Sequence, residues 1–386
     1  MSDSQIPNAL RMGRRGVLAA GLAALATPTL AKDDLDVFVA GERAKAGIPG
    51  LAVGLARNGT VRLARGYGFA DLARRRPVTA DTMFHIASIT KTVTATAVMR
   101  LAEQGRLALD APVARHLDFP LANPHHPDAP ITFRHLLTHV SSLSDAKYYE
   151  IDFRQRGRDA ALTLGDVLRD YLAPGGRTYS SEGCFSKAAP GAAWDYSNVG
   201  YGLLGHLASR IGGEDMREQT RKAIFAPLGM RHASWTIAGT PEALQATPYD
   251  PVEGVLTPVE PVGLPDWPAG NLRSSVSDLT RFVAASANGG STPGVQIVSE
   301  RTMARMLDMQ TPPGLPDWLT GQGLGWAESK LGDGVKINHW GGDPGVFTAA
   351  YLDPAARSGV VILTNLTASA ESKAAVKRIA VRLLAA

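Results

Sequence analysis

Ser88 and Lys91 are the residues of this 386-residue chain whose types and spacing point most directly to chemistry. Residues three apart on a helix share a face, so the hydroxyl and the amine can come within hydrogen-bonding distance. If burial lowers the pKa of Lys91, its neutral amine can take the hydroxyl proton and make Ser88 a nucleophile. Such a pair also arises by chance, and a capping serine beside a surface lysine is the simpler interpretation of these two residues alone.

A tyrosine and an asparagine flank a serine at residues 196–198, just ahead of an apolar segment. The phenol of Tyr196 could pass a proton to a leaving group, and the amide of Asn198 could orient a substrate carbonyl or the lysine. The alternative is structural: Ser197 or Asn198 caps a helix that begins at Val199.

A third segment consists of His339, Trp340, Gly341 and Gly342, and it lies between two strand-like runs. Glycines on an edge strand let a substrate approach the backbone closely and form hydrogen bonds with it. A glycine-rich turn with a packed aromatic residue is the alternative interpretation.

The element that must position Ser88 and Lys91 spans residues 88–104. Threonines alternate there as in a strand, but Ile89, Val93, Ala97 and Leu101 recur every four residues. The run is also much longer than a usual strand. We therefore predict a helix that is N-capped by Ser88 and ended by Gly105.

Strand patterns occur near both ends of the chain, and helical patterns dominate between them. We predict a helix over 35–45, strands over 51–56 and 60–65 joined by an Asn-Gly turn, later strands near 335–338, 348–352 and 359–364, and helices over 277–287 and from 371 onward. The predicted fold class is α/β of the α+β type, an antiparallel sheet flanked by helices and built from both chain ends. Its domain covers 32–105 and 268–386, and a mainly helical subdomain covers 106–267.

Taken in order, the three segments resemble the elements of the penicillin-recognising serine hydrolases. That family includes class C β-lactamases, D-aminopeptidases, D,D-peptidases and family VIII carboxylesterases, and its elements are S-x-x-K, Y-x-N and a Lys/His-x-Gly strand. The stretches 66–71, 84–91, 131–141 and 268–275 are also similar, so the resemblance runs from about residue 35 to the end of the chain.

This resemblance implies a β-lactamase/transpeptidase-like fold and a role for each residue. Ser88 would be the nucleophile, and Lys91 and Tyr196 would activate it and then protonate the leaving group. Asn198 would contact the lysine or the acyl substituent. The backbone N–H groups of Ser88 and Gly342 would hold the oxyanion. Which of Lys91 and Tyr196 takes the first proton stays open.

The third segment departs from the β-lactamase pattern, which has Lys-Thr/Ser-Gly. His339 replaces the lysine and would be only partly charged near neutrality, so it would bind the carboxylate of a β-lactam less well. Trp340 adds apolar area. The sequence therefore favours a carboxylesterase acting on short-chain esters, with a β-lactamase, a D,D-peptidase or a D-amino-acid amidase as the alternative. A non-catalytic scaffold of this fold is an alternative of another class.

Several other functions lack support in the sequence. A net charge of +4 is too small to indicate nucleic-acid binding. No G-x-S-x-G or H-E-x-x-H motif is present, and Gly66-Tyr67-Gly68 is too short for a dinucleotide fingerprint, so we expect no cofactor. His135 and His139 could share a helix face, but a third ligand is not evident, so we expect no metal. The expected partner is a small ester or amide substrate; nothing in the sequence indicates an oligomeric state.

The N-terminal residues 1–31 have the pattern of a secretory signal. Arg14 and Arg15 precede an apolar run of 11 residues, and the segment Thr29-Leu30-Ala31 ends in a small residue. The paired arginines suggest the twin-arginine route. We therefore expect a periplasmic or secreted protein without further membrane contact; an uncleaved inner-membrane anchor is the alternative.

Overall fold

The structure is a computed structural model that describes residues 32–386, so the predicted signal at 1–31 lies outside the described residues. Its strands are β1 (Gly50–Arg57), β2 (Thr60–Asp71), β3 (Arg76–Pro77), β4 (Met83–His85), β5 (Gln155–Arg156), β6 (Ala233–Ser234), β7 (Tyr249–Val252), β8 (Val255–Pro258), β9 (Val262–Gly263), β10 (Arg273–Ser275), β11 (Ser291–Thr292), β12 (Val295–Gln296), β13 (Gly321–Gln322), β14 (Ala327–Leu331), β15 (Gly334–Asp343), β16 (Val346–Asp353) and β17 (Ser358–Thr364).

Strands from both ends of the described chain form one antiparallel sheet. Its eight strands within residues 32–386 follow the order β13-β14-β15-β16-β17-β1-β2-β3. Strand β17 pairs with β1 along its whole length, with Val53 opposite Ile362, and this pairing joins the two ends. Asn58 and Gly59 both have positive φ, 50° and 70°, as expected for the tight turn between β1 and β2. The predicted sheet and hairpin are confirmed.

Helices cover both faces of this sheet. The helices are α1 (Lys32–Lys45), α2 (Thr90–Glu103), α3 (Phe133–Leu137), α4 (Ala146–Ile151), α5 (Leu164–Leu172), α6 (Asn198–Gly212), α7 (Met216–Thr220), α8 (Ala226–Leu228), α9 (Trp267–Gly270), α10 (Val276–Ala287), α11 (Glu300–Met306) and α12 (Ala370–Leu384). Helix α10 packs on β1, β2 and β17, and α1 and α12 form a second apolar cluster with the opposite face. Because both faces are covered, every residue of β17 is buried.

The helix after the nucleophile candidate begins later than predicted. Residues Ala87–Ile89 form a 3₁₀ turn, α2 starts at Thr90, and Ser88 makes no capping hydrogen bond, so the predicted N-cap is wrong. Helix α2 is buried against α6 and α9, which explains its unusual threonines. The hydroxyls of Thr92 and Thr96 donate to Ile89 and Thr92 carbonyls, both at 2.7 Å. These bonds satisfy the hydroxyls inside the core.

The segment between the two halves of the sheet is mainly helical, but it also contains short strands that the sequence did not reveal. The longest of these are β7 and β8, which form a hairpin of four residues each. His135 and His139 do not share a helix, because α3 ends at Leu137 and His139 adopts a left-handed φ of 58°. Among the described residues, no three metal-ligating side chains gather. None of the helices in residues 32–386 is long and apolar enough to cross a membrane.

Candidate active site

The predicted site residues meet at one cavity of about 600 Å³, between the end of β15 and the helical segment. Six of them line it: Ser88, Tyr196, Asn198, His339, Trp340 and Gly342. The other two lie behind the wall. Lys91 is fully buried beneath Ser88, and Gly341 is buried against the turn that carries Ser88. The structure therefore brings together three segments that are far apart in the sequence.

Ser88 is presented to the cavity by the 3₁₀ turn that precedes α2. Ala87 has a left-handed φ of 46°, which an alanine seldom adopts and which the surrounding packing must impose. The preceding carbonyl of Ile86 accepts a hydrogen bond from the Thr348 hydroxyl of β16 at 2.9 Å. The turn is thus fixed to the sheet, and Ser88 stays half-buried at the cavity floor.

The amine of Lys91 has three oxygen neighbours. Nζ lies 3.3 Å from Ser88 Oγ, 2.7 Å from Asn198 Oδ1 and 2.8 Å from the carbonyl oxygen of Ala269. Burial lowers the pKa of Lys91 to about 7, although the nearby carboxylates Asp266 and Asp145 oppose this shift. A large fraction of Lys91 is therefore neutral near pH 7 and can accept a proton.

Tyr196 and Asn198 are held by the start of α6. Ser197 caps this helix by accepting the N–H of Gly200 at 2.9 Å, so the structural interpretation of this motif is also correct. A buried carboxylate, Asp145, accepts the Ser197 hydroxyl at 2.9 Å and the Asn198 N–H at 2.6 Å. These bonds fix the backbone on both sides of the cap, and with it the two side chains.

The phenol of Tyr196 lies partly buried beside Ser88 and Lys91. Lys91 Nζ lies 4.7 Å from the centre of its ring, and its hydroxyl interacts with Ser88. Burial nevertheless raises the pKa of Tyr196 above the ordinary tyrosine value, so the phenol stays protonated at neutral pH. A protonated phenol in this position can donate a proton but is a poor base.

His139 is a cavity residue that the sequence analysis considered as a metal ligand but did not place at this site. Its ring stacks on Tyr196 with 4.4 Å between centroids, and it lines the cavity. Its Nδ1 accepts the backbone N–H of Ser197 at 3.1 Å, so the proton is on Nε2. Burial and the neighbouring Lys91 lower the pKa of His139 well below its ordinary value, which keeps the ring neutral. The one signal in the sequence was its place in the family-like stretch 131–141.

Asp266 was also missed, because it lies in a loop without a recognisable pattern. Its carboxylate lines the cavity and accepts the Tyr148 hydroxyl at 2.8 Å. Burial raises the pKa of Asp266 to about 6, and the charge of Lys91 partly opposes this shift. The opposite charges of Lys91 and Asp266 therefore stabilise each other. Tyr149 adds a contact on the same side, where its hydroxyl accepts Asn198 Nδ2 at 3.0 Å.

Strand β15 brings His339 to the cavity in a neutral form. The ring Nδ1–H donates to the carbonyl oxygen of Trp340 at 2.8 Å, and burial together with Lys91 lowers the pKa of His339 to about 3. The expectation of a partly charged His339 is therefore wrong. The expected edge strand is correct only for half of β15: its pairing with β14 ends at Asn338, and from His339 onward it pairs with β16 alone.

The two glycines of β15 differ in their surroundings. A Cβ on Gly341 would lie 2.3 Å from the carbonyl oxygen of Ile86 and 2.4 Å from Thr348 Oγ1, so no side chain fits there. A Cβ on Gly342 would meet nothing within 4 Å. Gly341 therefore allows β15 to lie directly against the Ser88 turn, and Gly342 leaves its backbone open to the cavity.

One end of the cavity contains a charged side chain, Arg154, that is paired with carboxylates of the protein itself. Arg154 lies 2.5 Å from Asp152 and 3.6 Å from Asp343, so its charge is neutralised by protein carboxylates. Burial raises the pKa of Asp343 to about 6, and the positive charge of Arg154 partly opposes this rise. Within the described cavity lining, no other lysine or arginine side chain is present.

Comparisons with known proteins agree with this fold. The sequence model of the Beta-lactamase family matches residues 35–385. The chain is 30% identical to Esterase EstB of Burkholderia gladioli over 81% of this chain and 84% of that protein. Some other curated relatives are longer, and the chain covers 49% to 56% of their length.

Solved structures give the same result for the fold. EstCE1, a hydrolase with promiscuous acyltransferase activity, superposes with a TM-score of 0.73 at 23% identity, over 91% of this chain and 98% of that one. A class C β-lactamase superposes with a TM-score of 0.70 at 21% identity, over 92% and 96% of the two chains. The predicted β-lactamase/transpeptidase-like fold is confirmed. The chain belongs to the beta-lactamase family and is a serine hydrolase of that family.

Proposed function

We propose that this protein is a carboxylesterase that hydrolyses short-chain acyl esters through a covalent acyl-enzyme on Ser88. The observation that carries the proposal is the set of contacts around Lys91 Nζ, whose three neighbours are Ser88 Oγ, Asn198 Oδ1 and the Ala269 carbonyl. Two of the three are carbonyl oxygens, which can only accept hydrogen bonds.

This arrangement directs the lone pair of the neutral amine toward the nucleophile. A neutral amine has two N–H bonds, and the two carbonyl oxygens lie at 2.7 Å and 2.8 Å, so they take both. The lone pair is left for the hydroxyl proton of Ser88 at 3.3 Å. With its pKa lowered to about 7, Lys91 is the group we propose as the first base, and the raised pKa of Tyr196 supports this choice over a phenolate.

The remaining groups complete the reaction. Ser88 Oγ bonds to the ester carbonyl carbon, and the backbone N–H groups of Ser88 and Gly342 stabilise the oxyanion. As the bond to the alcohol oxygen breaks, Tyr196 gives its proton to that oxygen and recovers one from protonated Lys91. Water then attacks the acyl-enzyme by the same proton path, releasing the carboxylic acid and restoring Ser88.

The preference for esters over β-lactams is supported by the charges of the cavity. A β-lactam carries a carboxylate, for which a fixed cation is the usual partner. His339 is neutral, and Arg154 is already paired with Asp152 and Asp343. Thirty per cent identity to an esterase over most of both chains supports the same choice.

We also propose that the protein is exported to the periplasm or secreted, on the basis of Arg14, Arg15 and the apolar run that follows them. Fractionation of cells that produce the full chain tests this. Shortened protein in the periplasmic or culture fraction is the expected result, and protein retained in the cytoplasm after Arg14 and Arg15 are both changed to Lys identifies the twin-arginine route.

A comparison of three substrates tests the proposed activity: p-nitrophenyl butyrate, nitrocefin and a D-alanyl dipeptide. The expected kcat/KM is highest for the ester, and Ser88→Ala should abolish its turnover without changing the circular dichroism spectrum. A fluorophosphonate probe should label the native protein and spare Ser88→Ala. A higher kcat/KM for nitrocefin or the peptide would overturn the ester assignment, and undiminished turnover by Ser88→Ala would place the nucleophile elsewhere.

A further inference from the structure

One end of the active-site cavity is formed by indole rings rather than by charges. The ring centroids of Trp194 and Trp318 lie 6.5 Å apart with planes at 84°, so the two rings form a corner. Trp318 also stacks on Trp340, with centroids 5.8 Å apart and planes at 20°. We call Trp194 and Trp318 the aromatic corner. The other lining residues of the adjoining loop and strands are uncharged: Pro316, Leu319, Gln322 and Ala327.

Hydrogen bonds fix Trp194 of the aromatic corner and Trp340, the ring that supports Trp318. Trp194 donates its Nε1–H to Gln322 Oε1 at 3.0 Å, and its backbone N–H to the carbonyl of Pro313 at 2.7 Å. Trp340, on which Trp318 rests, donates its Nε1–H to the Tyr351 hydroxyl at 2.9 Å. The polar atoms of these two indoles are therefore satisfied by the protein. Their fixed rings lose little freedom when a ligand binds.

Trp318 is unusually exposed for a residue of its type. It is 55% accessible, although burying an indole is strongly favourable. It is the most exposed of the indoles that line the cavity, and it lies where a substrate could cover it. Together with Trp194 and Trp340 it forms a contiguous aromatic surface at the cavity, and contiguous apolar surface of this kind is typical of a binding site.

The position of the aromatic corner relative to Tyr196 indicates which part of a substrate it meets. The centroid of Trp194 lies 6.2 Å from that of Tyr196, the residue that protonates the departing alcohol. The corner therefore borders the side of the cavity on which the alcohol leaves.

We propose that the aromatic corner is a subsite for an aryl group on the alcohol side of the ester, so that the preferred substrates are esters of aryl-bearing alcohols. This proposal rests on the proposed esterase function and names its substrate class. A flat ring placed against Trp318 would have the edge or face of Trp194 beside it, which are the geometries that aromatic pairs prefer. The two indoles of the aromatic corner carry no charge, in agreement with a neutral substrate.

A matched pair of esters tests the proposal: benzyl acetate and cyclohexylmethyl acetate, which differ only in the aromaticity of the ring. The saturated ring is the more hydrophobic of the two, so burial alone would favour it. We expect native protein to prefer benzyl acetate in kcat/KM, and Trp318→Ala to reduce that preference by roughly threefold to tenfold, the usual range for one aromatic contact. Trp318→Phe, which keeps a ring, should retain most of it, and Val255→Ala, an exposed site on the β7–β8 hairpin, should not change it. An equal effect of Trp318→Ala on both esters would overturn the proposal.

Binding to Ser88→Ala separates this proposal from the esterase function. Benzyl alcohol should bind this inactive variant more tightly than cyclohexylmethanol, as measured by titration of the ligand resonances in NMR, and adding Trp318→Ala should remove the difference. If the native protein hydrolyses neither acetate, the esterase function fails, and the binding comparison still decides whether the corner selects an aryl group. Equal affinities for the two alcohols would refute the subsite. Circular dichroism and thermal melting establish that each variant is folded.

Discussion

The amine of Lys91 donates to the side-chain carbonyl of Asn198 at 2.7 Å, across 107 residues of sequence. This contact joins α2, which follows the nucleophile, to the first residue of α6. Together with the Ala269 carbonyl it takes up the amine hydrogens and leaves the lone pair for Ser88. The reactivity of the site therefore depends on two acceptors that belong to other segments.

The pH dependence of ester hydrolysis should follow Lys91. Its pKa is lowered to about 7 and the neutral amine is the active form, so kcat/KM should fall as the pH drops through about 7. Lys91→Ala should lower kcat/KM at least about a hundredfold through loss of the general base. Initial rates on p-nitrophenyl butyrate between pH 5 and 9 provide the measurement. A rate independent of pH across this range would contradict the role of Lys91.

Removing and adding a negative charge beside Lys91 should move the acid limb, the fall of kcat/KM at low pH, in opposite directions. The charge of Asp266 raises the pKa of Lys91, so Asp266→Asn should shift the limb to lower pH. Asn198→Asp would add a negative charge at 2.7 Å, which stabilises the ammonium and should shift the limb to higher pH. Asp317→Asn, in the exposed loop before β13, is the matched control and should leave the limb in place. Shifts of the same sign in both variants would rule out this electrostatic account.

The effect of Tyr196→Phe should depend on the leaving group. The protonated phenol serves as an acid for the departing alcohol, so its loss should lower kcat/KM about a hundredfold or more for ethyl butyrate. p-Nitrophenyl butyrate releases a phenolate that needs little protonation. For this ester, Tyr196→Phe should therefore lower kcat/KM clearly less. Steady-state rates on the two esters measure the difference. The same loss for both esters would instead indicate that Tyr196 acts mainly in activating Ser88.

The two glycines of β15 should respond differently to alanine. A Cβ on Gly341 would lie 2.3 Å from the Ile86 carbonyl, so Gly341→Ala should lower the free energy of unfolding by about 1–3 kcal/mol and displace the Ser88 turn. Gly342→Ala meets nothing within 4 Å, and its effect on stability should stay within about 1 kcal/mol. Urea unfolding of the two variants, with kcat/KM measured alongside, makes the comparison. Equal stability of both would show that the close contact at Gly341 is not maintained.

A cation at position 339 should change the choice between esters and β-lactams. His339 is neutral, so the site offers the carboxylate of a β-lactam no cationic partner at this position. His339→Lys would add that positive charge. The ratio of kcat/KM for nitrocefin to that for p-nitrophenyl butyrate should rise about tenfold or more, as expected for a charge-assisted hydrogen bond. His339→Gln, which adds no charge, is the control. An unchanged ratio in His339→Lys would mean that another position sets this specificity.

Local patterns in the sequence were sufficient to predict the framework of the protein. The Asn58-Gly59 turn fixed the first hairpin, because few residues other than Asn and Gly adopt its left-handed backbone. Strand-like apolar runs identified β16 and β17, and the period of four identified α2 despite its threonines. The spacing of Ser88 and Lys91 placed both groups on one helical turn, and their 3.3 Å contact agrees with that prediction.

Tertiary structure alone decided how that framework becomes a site. The burial that lowers the pKa of Lys91 to about 7 and that of His339 to about 3 depends on neighbours that lie far away along the chain, and no local pattern encodes burial. Asp145, Asp266 and Trp318 lie in loops or at helix starts, where the sequence carries no periodicity to reveal them. Their partners lie far along the chain, so the charges and ring contacts that shape this cavity exist only once the two ends of the sheet have paired.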